Sequence, residues 1–368
     1  MARKLLILNG LAIIGVVLNH SASFGFIAMF WWAHRYLPVS SPNFDQMGNA
    51  AYYGLRFIEQ LVAFSVPTFL FVSGFFIAFV AGKTPADIWR IARTRIGVLV
   101  IPYLIWSVVT IAGRIILGEN FALGELIRLV IFGQAAEHFY FIPLLLQLYL
   151  LSPWLIPAAR KSWQGLLVGA ALVQLLAQGV HYLVVLWIDT PAVSVLADLS
   201  PSWLFTSKVF WFCLGIVASL RLQPMMKWLG RAKWALLVAW AVFLLLGMIE
   251  WETLLARSGQ VWIAYFDTVL DGLYAGAFIL LFLGFENLTL PYSRQISDLG
   301  TKSYGIYLIH GLALTFTAKA VYQLVPAVLG YQIVFQPILV AAGLGIPLVL
   351  MALIKKSPVK KYYTYLFG

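Results

Sequence analysis

The sequence predicts an all-α, polytopic membrane protein with about ten transmembrane helices and with both termini in the cytoplasm. Three features carry this prediction: the apolar composition, the recurrence of long apolar blocks, and the basic residues between those blocks. Of the 368 residues, 62% are hydrophobic and 11% are charged, whereas soluble domains average about 45–50% and about 25%. Because apolar blocks recur from Leu5 to Ile354 without a long polar segment, we expect residues 1–368 to form a single membrane-embedded domain.

The apolar blocks are predicted to cross the membrane as helices. They lack the period-two alternation of barrel strands, and lipid tolerates only helices and closed barrels. A crossing needs about 20 apolar residues. The predicted spans are residues 5–30, 51–81, 96–116, 139–158, 164–185, 203–220, 234–252, 262–285, 303–324 and 333–354. Residues 121–134 are too short and too charged to cross, and the helical spacing of their apolar residues predicts a helix at the outer surface.

Basic residues cluster before the first span and in every second connection after it. Cytoplasmic loops of membrane proteins carry this excess of Lys and Arg, so the alternation places both termini inside. The net charge of +11 is dispersed among these clusters, which makes membrane lipid the expected partner and not nucleic acid. The clusters are Arg3 and Lys4; Lys83, Arg90, Arg93 and Arg95; Arg160 and Lys161; Arg221, Lys227, Arg231 and Lys233; Arg294 and Lys302; Lys355, Lys356, Lys360 and Lys361.

Two histidines, His20 and His310, fall at hydrocarbon depth in predicted spans. An imidazole at that depth without a local partner is expected to face a polar cavity. His310 shares a helix face with Tyr304 and Tyr307 at every third position, and that face could line a cavity or form a polar seam between helices. The five histidines lie in different helices without ligand spacing, and Cys213 is the only cysteine, so no metal site is predicted.

Other charged residues inside or beside the predicted spans leave two interpretations open. Arg56 and Glu59 stand three positions apart and could simply pair, and Lys208, Asp267 and Asp271 could be structural pairs or parts of a site. Asp267 and Asp271 are four apart and are expected on one helix face. Arg90 and Arg93 would present two guanidinium groups on one face, which suits a phosphate, although charge alone favours ordinary anchoring of a helix end.

Five segments, taken in order, resemble the type-3 acyltransferases of bacterial inner membranes. The resemblance runs from about residue 5 to residue 354, essentially the whole chain. The segments are Gly-Val-Val-Leu-Asn-His at 15–20, Val-Pro-Thr-Phe-Leu-Phe-Val-Ser-Gly-Phe-Phe at 66–76, Arg90-x-x-Arg93 with Ile-Pro-Tyr at 101–103, His-Phe-Tyr-Phe-Ile-Pro at 138–143, and Tyr-Gly-Ile-Tyr-Leu-Ile-His at 304–310.

The resemblance implies transfer of an acyl group, usually acetyl, from cytoplasmic acyl-CoA to a hydroxyl of a cell-envelope glycan or lipid-linked sugar. Acyl-CoA would be a co-substrate, and the enzyme would need no metal. The implied catalytic residues are His20 as general base, with His138 and His310 orienting the acceptor or stabilising the oxyanion. Donor binding falls to Arg90, Arg93, Arg95, Tyr103 and Asn9, the last standing where the family commonly has a basic residue. Acceptor binding falls to Glu59, Ser73, Tyr140 and Tyr307.

Two other functions remain open at this point. Ten spans with buried polar groups also suit a transporter or flippase for a small solute or polyprenyl-linked sugar, although no internal repeat supports it. A catalytically inactive family member acting as a scaffold is favoured only by Asn9. Neither the acceptor nor the oligomeric state is predicted.

Overall fold

The computed structural model describes residues 1–186, 190–263, 266–285 and 291–368. Within these ranges the chain forms fifteen α-helices joined by short 3₁₀ turns and connecting segments. The helices are α1 (Ala2–Phe30), α2 (Ala50–Val62), α3 (Ser65–Val80), α4 (Pro85–Ile116), α5 (Leu123–Ile131), α6 (Phe141–Lys161), α7 (Trp163–Val185), α8 (Pro191–Leu199), α9 (Val209–Leu220), α10 (Leu222–Ser258), α11 (Val269–Gly284), α12 (Ser293–Thr301), α13 (Ser303–Leu324), α14 (Gln332–Lys356) and α15 (Tyr363–Phe367).

Seven helical segments of the described chain are long and apolar enough to cross a membrane. They are α1, α4, α7, α10 and α14, together with two composite segments. The composite segments are Ala50–Val80, which contains α2 and α3, and Glu137–Lys161, which contains α6. The shorter helices α9 and α11 are also apolar. The chain is therefore an all-helical, multi-pass membrane protein, as its composition predicts.

The predicted span at 51–81 is two helices separated by a break at Ala63 and Phe64. Pro67 lies one turn beyond the break and lacks the N–H that would bond the Ala63 carbonyl. The Ser65 hydroxyl donates to the Val62 carbonyl at 2.7 Å, which gives one of the carbonyls freed at the break a partner. The break separates α2, which carries Glu59, from α3, which carries Ser73.

The predicted span at 262–285 is also different in the structure, because α11 begins only at Val269. Thr268 caps this helix: its hydroxyl accepts from the Asp271 N–H, and the Asp271 carboxylate accepts from the Thr268 N–H. Asp267 therefore precedes the helix, and the prediction that Asp267 and Asp271 share one helix face is wrong. Residues 264 and 265 of this span lie outside the described residues.

The first helix packs closely against α12, and each helix contributes a glycine to the contact. A Cβ atom on Gly10 would stand 1.9 Å from the Ile296 carbonyl oxygen, and one on Gly300 would stand 1.9 Å from the Leu6 carbonyl oxygen. Only glycine permits such an approach of two helix backbones. The largest apolar cluster joins the N-terminal half of α1, from Leu5 to Val17, to α3, α4, α6, α9, α11 and α13.

Candidate active site

Three histidines from distant parts of the sequence meet beside the C-terminal half of α1. His20 lies on α1, His310 on α13, and His138 in the 3₁₀ turn Glu137–Tyr140 before α6. The His20 ring centroid lies 5.4 Å from that of His138 and 5.3 Å from that of His310, and the latter two are 4.4 Å apart. His138 and His310 are buried. The three side chains that the resemblance implied as catalytic therefore form one cluster.

The position of His138 depends on two residues of α13. The Tyr307 hydroxyl donates a hydrogen bond to the His138 main-chain carbonyl. Gly311, one turn further along, faces the imidazole: a Cβ atom there would lie 2.2 Å from the His138 Cε1 atom. Residue 311 must consequently be glycine for His138 to keep this position.

The backbone of α13 sets the protonation of the His310 ring. Its Nδ1 atom lies 3.2 Å from the Ile306 carbonyl oxygen and 2.8 Å from the Tyr307 carbonyl oxygen. Because carbonyl oxygens only accept, Nδ1 must carry the proton, and a neutral ring then leaves Nε2 with a lone pair. The Nε2 atoms of His310 and His138 are buried and have no hydrogen-bond partner in the described chain. Buried nitrogens in this state are available to a ligand.

Two cavities meet at His20 and His138. The first has a volume of about 540 Å³, and its wall includes Glu59, Tyr140, Asp267, Trp262 and Tyr307. The second has a volume of about 600 Å³, and its lining includes Arg114, Glu119 and Lys319. Tyr140 borders both. His20 thus stands where two bound molecules could approach each other.

The charged residues of α2 and of the segment before α11 are paired. Arg56 forms a buried ion pair with Glu59, and its guanidinium carbon lies 4.1 Å from the centre of the Trp251 ring. Lys208 forms an ion pair with Asp267. Asp271 accepts from the Gln60 side chain at 2.9 Å. Pairing is therefore observed for all of them, and Glu59 and Asp267 also line the first cavity.

The arginines implied in donor binding lie at the opposite end of α4 from this cluster. Arg90, Arg93 and Arg95 are exposed on the first turns of α4, and Arg90 pairs with Asp87 at 3.5 Å. At 1.5 Å per residue, Arg93 lies about 32 Å along the helix from Arg114, which borders the second cavity. The structure does not bring these arginines together with the histidines.

Three other residues that the resemblance implies, Tyr103, Ser73 and Asn9, lie outside both cavities. The Tyr103 hydroxyl donates to the Val130 carbonyl, and its ring packs 5.7 Å from that of Phe139. Ser73 lies beside the Tyr149 hydroxyl. Asn9 lies eleven residues before His20, about 16 Å along α1, and its side-chain oxygen is buried without a partner in the described chain. None of these three lines either cavity.

Several cavity residues were not identified from the sequence. Arg114 donates to Glu119 at 2.6 Å and to the carbonyls of Gln134 and Ala135 at 3.2 Å each, so it holds the loop that precedes His138. The hydrogen bond from Arg114 keeps the pKa of the Glu119 carboxyl below its usual range. Trp262 lies in a connection with no periodic pattern. For Arg114 the only available signal is its charge near the end of the predicted span 96–116, and nothing in the local sequence marks Trp262.

The histidine cluster also bears on metal binding. The prediction of no metal site rested on the separation of the histidines along the chain, and folding removes that separation. The ligand atoms of the three rings lie within 4.8 Å of one another. Zinc–imidazole bonds of about 2.0–2.1 Å would require the nitrogens to move closer. The arrangement as it stands suits hydrogen bonding to a substrate.

The comparison with known families agrees with this geometry. Residues 6–354 match the family model described as an acyltransferase domain, and the match includes all three histidines. No curated protein and no solved structure shows significant similarity to the chain. A match over nearly the whole chain excludes a chance likeness of apolar helices, and the chain therefore belongs to the type-3 acyltransferase family of membrane proteins.

Proposed function

We propose that this acyltransferase moves an acyl group, with acetyl as the expected one, from cytoplasmic acyl-CoA to a hydroxyl of a cell-envelope glycan or lipid-linked sugar. The observation that carries the proposal is the position of His20 at the junction of two cavities, beside His138 and His310. A transferase must bring two substrates to one base, and this junction provides the place for that encounter.

In the proposed reaction, the His20 imidazole accepts the proton of the acceptor hydroxyl while that oxygen attacks the thioester carbonyl. The C–O bond forms, the tetrahedral intermediate collapses, and the C–S bond breaks. The proton on His20 then passes to the departing CoA thiolate. His310 cannot donate to the oxyanion in the tautomer that its hydrogen bonds require, because the carbonyls of Ile306 and Tyr307 occupy its N–H. Its role is therefore to accept a hydrogen bond and so orient His20 or the acceptor.

The donor is proposed to enter from the inner side. Arg90, Arg93 and Arg95 would hold the CoA phosphates there, and the acyl arm would extend along α4 past Tyr103. In the structure α15 occupies part of this side: Trp106 donates to the Leu366 carbonyl at 2.8 Å. Entry of the arm along this route therefore requires α15 to move.

The proposed setting is the bacterial inner membrane, crossed ten times, with both termini in the cytoplasm. Alternating basic connections support this topology. The predicted spans at 203–220, 262–285 and 303–324 correspond to α9, α11 and α13, which complete the seven longer segments to ten. His20 lies 18 residues after Ala2, about 27 Å along α1, so both cavities would open toward the outer face. The acceptor would then bind from outside.

The test uses purified protein in proteoliposomes, labelled acetyl-CoA and a cell-envelope extract as the acceptor source. Labelled acetyl should pass to a glycan or lipid-linked sugar, and replacing Arg90 and Arg93 by Gln should raise the KM for acetyl-CoA about tenfold or more, since hydrogen bonds to charged groups contribute about 1.5–3 kcal/mol each. Arg231→Gln, an exposed arginine on α10, is the matched control. Absence of acetyl-CoA binding and of transfer by the wild type would refute the proposal.

A further inference from the structure

The first cavity is lined by carboxylates and aromatic rings, whereas the basic side chains that pair with two of these carboxylates do not line it. Glu59 and Asp267 line the cavity, whereas their partners Arg56 and Lys208 do not. Among the described residues that form this wall, none is Lys or Arg. A ligand in the cavity therefore meets hydrogen-bond acceptors before it meets any cationic side chain.

The carboxylates are held in place by their ion pairs. The Lys208 side chain is 4% exposed while that of Asp267 is 36% exposed, so the carboxylate faces the cavity and the ammonium is buried behind it. Arg56 is fixed in turn by its contact with the Trp251 ring. Each carboxylate keeps lone pairs beyond those used by its partner, and these can accept hydrogen bonds from ligand hydroxyls.

Trp262 supplies an aromatic surface on the same cavity. Its ring centroid lies 4.8 Å from that of Phe26, 5.3 Å from that of Phe30 and 6.1 Å from that of Trp251. These contacts fix the orientation of the indole without a ligand. A rigid aromatic face beside carboxylates suits a ring that has an apolar C–H face and a rim of hydroxyls.

We propose that the first cavity binds an uncharged sugar ring, stacked on Trp262 and hydrogen-bonded to Glu59 and Asp267, and that it rejects sugars bearing a carboxylate. The inference rests on the proposed function, because it makes this sugar the acceptor presented to His20. An anionic sugar would place like charges together at the cavity wall, where the carboxylates face inward.

The second cavity differs in charge. Arg114 and Lys319 line it together with Glu119 and with Glu137, which also borders the first cavity. The second cavity therefore offers cationic groups that the first lacks. An anionic group would be accommodated there more easily than in the first cavity. The contrast assigns the uncharged acceptor ring to the first cavity, on the side of His20 that faces Glu59.

Binding is measured by saturation-transfer NMR on the purified full chain without acyl donor, so that the result does not depend on transfer. The probes are uncharged methyl hexopyranosides and the matching methyl uronosides, which differ only by a carboxylate. We expect the uncharged glycosides to bind, and Trp262→Ala to weaken that binding about tenfold or more, as for truncation of a buried tryptophan at an interface. Trp262→Phe should retain part of the affinity, and Asp267→Asn should reduce rejection of the uronosides.

Trp154→Ala is the matched control, because Trp154 on α6 is 67% exposed and lies away from both cavities. Equal or tighter binding of the uronosides would overturn the proposal. So would failure of every uncharged glycoside to bind, or binding that is indifferent to Trp262→Ala in a variant whose thermal stability is unchanged. If glycosides bind as expected but no acetyl transfer occurs, the proposed function fails and the sugar site stands.

Discussion

The Tyr307 hydroxyl donates a hydrogen bond to the main-chain carbonyl of His138. This contact joins α13 to the turn before α6, two elements that both supply a histidine to the cluster. Tyr307 also lines the first cavity. It is therefore a positioning residue for His138 and a part of the wall of the first cavity.

Replacing Tyr307 by Phe should lower kcat about tenfold or more and destabilise the protein by about 1–3 kcal/mol, because the buried His138 carbonyl loses its donor. Tyr304→Phe is the matched control. The Tyr304 hydroxyl also donates to a carbonyl, that of Leu99 at 2.6 Å, but it lies outside both cavities. Steady-state kinetics and thermal unfolding of the two variants separate the roles. Equal loss of kcat in both would contradict a positioning role specific to Tyr307.

Gly311→Ala should abolish most of the activity, because the new methyl group would occupy the space of the His138 ring. Either the imidazole or α13 must move, and small displacements of a catalytic group can reduce rates about a hundredfold. Gly169→Ala on α7 provides the comparison, since a Cβ atom there meets no other atom within 4 Å. Transfer assays on both variants check this, and wild-type kcat in Gly311→Ala would show that His138 is not needed in its observed position.

Glu119→Gln should reduce stability slightly at neutral pH, by less than about 1 kcal/mol, because the Arg114–Glu119 pair is partly exposed. The hydrogen bond from Arg114 lowers the pKa of Glu119 in the folded protein. A lowered carboxyl pKa contributes stability above the unfolded value, about 4.3, and this contribution is lost as the pH falls through the lowered folded value. Thermal unfolding across that range should show the wild type and the variant converging at acid pH. A stability difference between wild type and variant that grows on acidification would contradict this prediction.

Trp106→Phe should lower the KM for acetyl-CoA if α15 covers the inner route. The substitution keeps an aromatic side chain, although a smaller one, and removes the N–H that bonds the Leu366 carbonyl. A hydrogen bond contributes about 0.5–1.5 kcal/mol net, so the open fraction, and with it the apparent donor affinity, should rise about two- to tenfold. Donor titrations of wild type and variant measure this. An unchanged or higher KM would show that α15 does not limit donor entry.

The membrane fold and part of the site could be predicted from the sequence, because lipid restricts both the backbone structures and the polar side chains that it surrounds. An apolar block long enough to cross the membrane must pair its backbone groups internally, and a helix does this. His20, predicted deep in the first span, lines both cavities. Arg56 and Glu59, three apart on one helix, pair as their spacing suggests.

The rest of the site depends on contacts between helices, which periodicity does not specify. His310 reaches His20 because α13 packs against α1, and His138 joins them because the turn before α6 is bonded to Tyr307 of α13. Four-residue spacing predicts Asp267 and Asp271 on one helix face, but the helix begins at the Thr268 cap between them. Trp262 belongs to a connection, and its place in the cavity follows from aromatic packing with Phe26 and Phe30.

The catalytic role of His20 is tested by the rate of acetyl transfer by His20→Ala, measured in proteoliposomes beside wild type and His34→Ala. His34 is an exposed histidine outside the cluster, so its variant controls for loss of an imidazole as such. We expect His20→Ala, folded and inserted, to lose about 10²–10⁴-fold in kcat, the range for removal of a general base, while His34→Ala keeps the wild-type rate. Wild-type transfer by His20→Ala would contradict a role of His20 as the general base.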